Sequence, residues 1–498
     1  MKVTDKNVKL LLEKYREISL LGNINAVLSY DTNVSLPEKG SEGRAKQSAY
    51  ITKLISDKWL DNDFREIVEK VENGDLNEDE KAIVRNVRHA GKFYFSVPQK
   101  TIIEFSEVTS TAFMAWQKAR QANSFKNFLP HLTNVINLSI QIAEHMGYTE
   151  NRYDALLDLY EPDLTSREFQ KIVDVVQPTL TKLLQKITKS DTFKGLSFKD
   201  SEFSIVDQER LTHFVLGKMV YDFDSGRQDV SAHPFTETLG AHDIRITNRY
   251  KKNSFVESIM IAMHEGGHAL YEQGIAEAYS GTPLEGGVSL GIHESQSRFW
   301  ENQVGRSREF VEYMEPILKA TYPAELSSIS SDDLFKMFNA VAPGFIRVEA
   351  DEVTYNLHIM LRFEIERDLI NQRIKSKDIP EVWREKMKKY LGITPKSDAE
   401  GCLQDVHWSY GSFGYFPTYT LGNLYSAQFT KAMKREIQLD DQILLGDFEP
   451  ILVWLREKIH VHGARYLPHE LCIMITGEDL NPLYFIDYLE DKYSKIYK

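Results

Sequence analysis

The chain has 498 residues, enough for a large core and, by length alone, about three domains. Its net charge of −13 disfavours nonspecific binding to nucleic acid or an anionic membrane. Two cysteines, Cys402 and Cys472, provide neither a disulfide framework nor a cysteine metal site, and the 42% hydrophobic content is ordinary for a globular protein.

Most of the chain reads as helix. Val8, Leu11, Leu12, Tyr15 and Ile18 follow helical spacing, as do many residues across 132–145, 168–189, 332–340 and 352–374. The first twenty residues mix charges into their leucines, unlike a signal peptide. No apolar run reaches the ~18 residues of a membrane span. A cytoplasmic location is therefore expected. Prolines mark junctions, at Pro98, Pro130, Pro162, Pro234, Pro283, Pro343 and Pro380. Without repeats or long linkers, one continuous, mostly helical body over residues 1–498 is expected.

One stretch breaks the helical pattern. Asp243-Ile244-Arg245-Ile246-Thr247 alternates as a half-buried strand does. Asp243, Arg245 and Thr247 then share one face and become candidate peptide-binding residues. The strand reads as an edge, open to an extended peptide or simply solvated.

The next segment is the most informative. His264-Glu265-Gly266-Gly267-His268 is an H-E-x-x-H pattern. Histidines four apart lie on one helix face, and both imidazoles can reach one Zn²⁺ at ~2.0–2.1 Å. Glu265 can reach a metal-bound water without binding the metal, as a general base does. Roughly a few chains in a hundred of this composition would hold the pattern by accident. The apolar stripe Val256, Ile259, Met260, Met263 and Leu270 argues otherwise, and predicts a buried helix over about 254–273. Two central glycines each cost such a helix ~1 kcal/mol relative to alanine, so they imply close approach of another backbone or a ligand.

A catalytic zinc site needs a third protein ligand. The candidates are Glu272, Glu277, Glu285, His293 and Glu294. Glu272 continues the same helical ladder, which cannot enclose a metal tetrahedrally. Glu277 and Glu285 fall in or beside a loop-like stretch, 279–287. Glu294 lies in a second helical pattern, 293–301, and completes a His₂Glu set from across the first helix; His293 is the runner-up. Cobalt can fill such a site as zinc does. Further on, residues 401–423 are rich in glycine and aromatics and read as a loop wall lining a pocket. His407 and Tyr419 within it could donate to an oxyanion.

These residues resemble the carboxypeptidase Taq family of zinc metallocarboxypeptidases over most of the chain. His233-Pro234-Phe235 is similar to its H-P-F motif, Asp243 to Thr247 to D-x-R-x-T, and His264 to His268 to the zinc motif. His293-Glu294-Ser295-Gln296 is similar to H-E-S-Q, Ile346 to Asp351 to I-R-x-x-A-D, and Gly401 to Trp408 to G-x-x-Q-D-x-H-W. Tyr153 to Asp158 and Thr476 to Glu478 are weaker matches. Tyr30-Asp31 departs where Trp-Asp is expected, at a position remote in sequence from the zinc motifs. The resemblance implies a nearly all-helical fold with a deep groove and a small sheet beside the zinc site. It implies release of single residues from free peptide C-termini with broad side-chain tolerance, and a homodimer. It makes Glu294 the third ligand, Arg347 the anchor for the terminal carboxylate, and His407 and Tyr419 transition-state donors, with Tyr415 the alternative phenol. Arg347 otherwise pairs with Asp351. The rivals are an endo- or aminopeptidase and a noncatalytic peptide-binding protein stapled by zinc.

Overall fold

The computed structural model describes residues 1–72, 74–192 and 201–497. Helices dominate, as expected, and the one sheet is small. Among the described residues no helix is long and apolar enough to cross a membrane. The chain divides into two compact units, each discontinuous in sequence. One contains Met1–Gly91, Gly195–Phe338 and Tyr425–Leu480; the other contains Lys92–Lys194, Asn339–Leu424 and Asn481–Lys498.

In the first unit three strands form the sheet: β1 (Gln228–Val230), β2 (Thr236–Gly240) and β3 (Asp243–Asn248). Their order is β1-β3-β2, with β3 parallel to β1 and antiparallel to β2. The sequence placed β3 correctly but misread it as an edge strand. It is the central strand, and both of its edges are already paired. Its neighbours come from 228–230 and 236–240, segments too short to announce themselves.

The Phe255–Gly274 helix packs on this sheet. Ser254 starts it, accepting a hydrogen bond from the Glu257 backbone N–H. Ile259, Met260, Met263 and Leu270 are buried, as the apolar stripe predicted. The glycines have the expected cause. A Cβ on Gly267 would stand 2.6 Å from the carbonyl oxygen of Gln296 and 2.7 Å from Cα of Ser297. The Leu290–Arg298 helix crosses at that point, so a side chain there would drive two helices apart. At Gly266 the obstacles are the side-chain ends of Leu216 and Met219, at 2.8 and 2.9 Å. Gly267→Ala should therefore destabilise the chain by about 1–3 kcal/mol through overpacking, and Gly266→Ala by less. Urea unfolding of both variants checks the order.

The second unit is built around the Glu352–Ile370 helix, buried along nearly its whole length. Asp351 caps it, accepting from the backbone N–H groups of Val353 and Thr354 at 3.0 and 2.9 Å. Tyr355, His358, Arg362 and Glu366 fall at i, i+3, i+7 and i+11, one face of this helix. Two expectations in this unit need correction. Pro130 lies inside the Phe125–Met146 helix, near its start, where its missing N–H removes a single bond. Residues 401–423 are only partly loop. A 3₁₀ turn forms at His407–Tyr410, and a helix begins at Pro417, which suits a first position where an N–H has no partner. Tyr419 therefore sits in the first turn of the Pro417–Glu436 helix.

Candidate active site

His264 and His268 project from the Phe255–Gly274 helix, and Glu294 from the helix across it. One ligand atom of each lies within 4.8 Å of the others. Glu294 Oε2 is 3.7 Å from His264 Nε2 and 3.4 Å from His268 Nε2. Ligands at ~2.0–2.1 Å around a tetrahedral ion stand about 3.3 Å apart, so this set is spaced to hold one. Of the candidates for the third position, Glu294 alone joins the histidines among the described residues.

The outer atoms of the three side chains are all engaged. His264 Nδ1 meets Glu301 Oε2 at 2.9 Å. Glu301 sits in a π-helical turn, Phe299–Val304, and accepts from Arg298 at 2.9 Å and Arg306 at 3.4 Å. Such turns re-aim side chains at functional sites. Arg298 Nε also donates to Glu294 Oε1 at 2.7 Å, and Ser297 Oγ to its Oε2 at 3.0 Å. Burial raises the Glu294 carboxyl pKa, but Arg298 and the two histidines outweigh it and hold the group well below the usual carboxylate range. His293 is not in the set; its Nδ1 contacts His268 Nδ1 at 2.6 Å.

Glu265 is buried beside the set and accepts from Thr236 Oγ1 at 2.7 Å. Burial pushes its carboxyl up, against the pull of His264 and Thr236. No local pattern singles out Thr236, which follows directly on His-Pro-Phe.

The strand residues proposed for peptide binding are largely occupied. Thr247 is fully buried; its Oγ1 accepts from the Phe235 backbone N–H at 2.9 Å and contacts Ser231 Oγ at 2.7 Å. It thereby ties the His-Pro-Phe turn to β3. Arg245 pairs with Asp243 through two bonds of 2.7 and 2.8 Å and lies over the Tyr30 ring, 5.2 Å from its centroid. Tyr30 also stacks edge-on with Phe235 and donates to Asp229. Although remote in sequence, the Tyr-for-Trp departure thus sits on the sheet, against two of the recognised motifs.

In the second unit Arg347 is buried, and its partner is Asp405, not Asp351. Arg347 Nε donates to Asp405 Oδ1 at 2.9 Å, and Arg362 Nε to Asp405 Oδ2 at 2.7 Å. Asp351 cannot serve because it is committed to capping the following helix. Arg347 Nη1 donates to the Tyr355 hydroxyl at 3.1 Å, and its guanidinium lies 5.1 Å from the Tyr419 ring centroid and 5.5 Å from that of Phe416. Two buried cations share one buried carboxylate. Burial penalises all three groups. Even so, the two arginines hold Asp405 well below the usual range, and burial with the neighbouring Arg347 depresses Arg362 to about 10. One positive charge is left over.

His407 packs against Phe416 and Tyr415, with ring centroids 4.5 and 5.3 Å apart. Its Nε2 lies 3.5 Å from the Tyr419 hydroxyl, the outer limit of a hydrogen bond. Burial and the Arg347 charge depress its pKa to about 3, so it is a neutral imidazole. The segment that carries it is anchored by Glu366, which accepts from Trp408 Nε1 at 2.7 Å, Tyr153 Oη at 2.8 Å and the Gly414 N–H at 3.0 Å.

A helical body whose crossed helices bring two histidines and a glutamate together, with a further buried carboxylate beside them, has the make-up of a metal-dependent hydrolase. The comparisons narrow this. The family model of the carboxypeptidase Taq (M32) metallopeptidases matches residues 10–493. Thermostable carboxypeptidase 1 of Pyrococcus furiosus is 42% identical over 98% of this chain and 99% of its own. Carboxypeptidase 1 of Bacillus subtilis is 39% identical over 97% of each chain. Among solved structures, a Pyrococcus furiosus carboxypeptidase superposes with a TM-score of 0.94 at 42% identity, covering 99% of both chains. Trypanosoma cruzi metallocarboxypeptidase 1 does so with a TM-score of 0.94 at 36% identity, covering 98% of this chain and 99% of the other. The chain belongs to the carboxypeptidase Taq (M32) family of metallopeptidases, and it is a peptide hydrolase.

Proposed function

We propose that this protein is a zinc carboxypeptidase that releases single amino acids from free peptide C-termini with broad side-chain tolerance. The observation that carries the reading is the tetrahedral spacing of His264, His268 and Glu294, in a chain whose relatives are named carboxypeptidases. A neutral His₂ and anionic Glu donor set suits Zn²⁺, with Co²⁺ an acceptable substitute. When bound, the ion supplies Lewis acidity and a lowered pKa for water.

The chain's own residues divide the remaining work. Glu265 takes the proton of the attacking water and returns it to the departing amine. His407, neutral and able to donate one hydrogen, and the Tyr419 phenol stabilise the oxyanion, with Tyr415 the alternative phenol. Arg347 reads the terminal carboxylate; the unbalanced charge of the Arg347–Asp405–Arg362 cluster favours an incoming anion. Asp243, Arg245 and Thr247 support the site by shaping the sheet under the metal helix, a smaller role than direct peptide contact. We extend the proposal to one functional domain over residues 1–498, a homodimer, a cytoplasmic location and peptide partners, with neither nucleic acid nor membrane.

Metal retention tests the ligand set. Glu294→Ala should lose most of its zinc on dialysis, and His293→Ala should lose less, because among the described residues Glu294, and not His293, stands at ligand spacing from both histidines. Full zinc in the Glu294 variant, or loss in the His293 variant alone, would transfer the role to His293. Restored hydrolysis of free-acid peptides when zinc is returned to stripped enzyme checks the activity itself.

A further inference from the structure

We propose that His293 and Glu272 are positioning residues that hold the ring of His268 for metal binding, acting in series and without touching the metal. The inference rests on the ligand set proposed above. The two metal-facing histidines are braced differently. His264 Nδ1 meets a carboxylate directly, Glu301 at 2.9 Å. His268 Nδ1 instead meets His293 Nδ1 at 2.6 Å, and His293 Nε2 meets Glu272 Oε1 at 2.7 Å. Thr238 Oγ1 donates to the other Glu272 oxygen at 3.2 Å.

Hydrogen placement follows from ligation. His268 Nε2 faces Glu294 at 3.4 Å, so it offers its lone pair to the metal. Its Nδ1 therefore carries the hydrogen and donates to His293 Nδ1. His293 must then be the Nε2–H tautomer, donating to Glu272. Only this direction leaves every nitrogen with one role, and the carboxylate at the end of the line selects it. The ring of His293 is also seated sterically, since a Cβ on Gly287 would stand 2.9 Å from both His293 Cδ2 and Tyr271 Cε1. Glu272 also lines a cavity of about 270 Å³ together with Asp222, Glu277 and Glu285.

β2 serves both ends of the arrangement. Thr236 and Thr238 are two apart on one strand face, and Glu265 and Glu272 are seven apart on one helix face. The first threonine holds the proposed base and the second the end of the relay.

The test is Zn²⁺ affinity by chelator competition on the full chain, with the metal-free melting temperature measured alongside. His293→Phe keeps a planar aromatic ring and removes the acceptor, and should weaken zinc binding by ~10–100-fold. Glu272→Leu should weaken it by a comparable factor. Glu272→Gln preserves shape and an acceptor oxygen, and should lose less. The His293→Phe/Glu272→Leu double variant should bind no more weakly than the worse single variant, because the two act in series. The metal-free melting temperatures should change little. Wild-type affinity in either His293→Phe or Glu272→Leu, or single losses that multiply in the double variant, overturns the relay while leaving the ligand set intact. Glu294→Ala is the control. If it binds zinc as wild type does, the ligand set itself fails, and the relay with it.

Discussion

Glu265→Gln should keep its full complement of metal and lose turnover by about 10²–10⁴-fold. Retention is expected because Glu265 stands outside the ligand set and accepts instead from Thr236 Oγ1. Loss is expected because glutamine fills the same volume and can still accept that hydrogen bond, yet cannot take a proton. The variant thus separates base chemistry from folding and metal binding. Metal analysis and steady-state kinetics on the same preparation decide the matter. Near-normal turnover with stoichiometric zinc would remove Glu265 from its proposed role.

Arg347→Ala should abolish most of the preference for a free carboxylate. Breaking such a buried pair typically costs about 2–5 kcal/mol, which is roughly a 30- to 5,000-fold loss on free-acid substrates. Rate alone would be ambiguous here. Arg347 also pairs with the buried Asp405 and packs between aromatic rings, so its removal will lower the melting temperature as well. The diagnostic quantity is the ratio of rates on a peptide acid and its amide. A purely structural arginine leaves that ratio at the wild-type value; an anchoring arginine takes it towards one. Arg347→Lys should recover little, because an ammonium keeps the charge and loses the planar fork that spans Asp405 and an incoming carboxylate.

The metal helix was legible because its signals are local. Ser254, the apolar stripe and the histidine spacing are read within twenty residues, and the observed Phe255–Gly274 helix begins and ends within about a residue of the reading. The two glycines were legible as an anomaly, and Gln296 and Ser297 turned out to be its cause. What failed was nonlocal. The central position of β3 depends on pairing with 228–230, a three-residue strand with no periodicity to detect. Asp405 lies 58 residues from Arg347, whereas Asp351 was close and plausible. The polar face of the Glu352–Ile370 helix carries Tyr355, His358, Arg362 and Glu366, all central to the second unit. The helix is buried along nearly its whole length, so little amphipathic contrast marks them. At Tyr419 the glycine and aromatic content of the segment reads as loop and masks the signal of a proline at a helix start.

The decisive measurement is mass spectrometry of a peptide pool, presented as free acids and as C-terminal amides, after incubation with zinc-loaded enzyme. Free acids should lose single residues stepwise from the C-terminus across many side-chain types. The amides should remain largely intact, and a chelator should stop the reaction until zinc is returned. Residues released from the N-terminus, internal cleavage, or amides processed as fast as acids would contradict a carboxypeptidase that reads its substrate through Arg347.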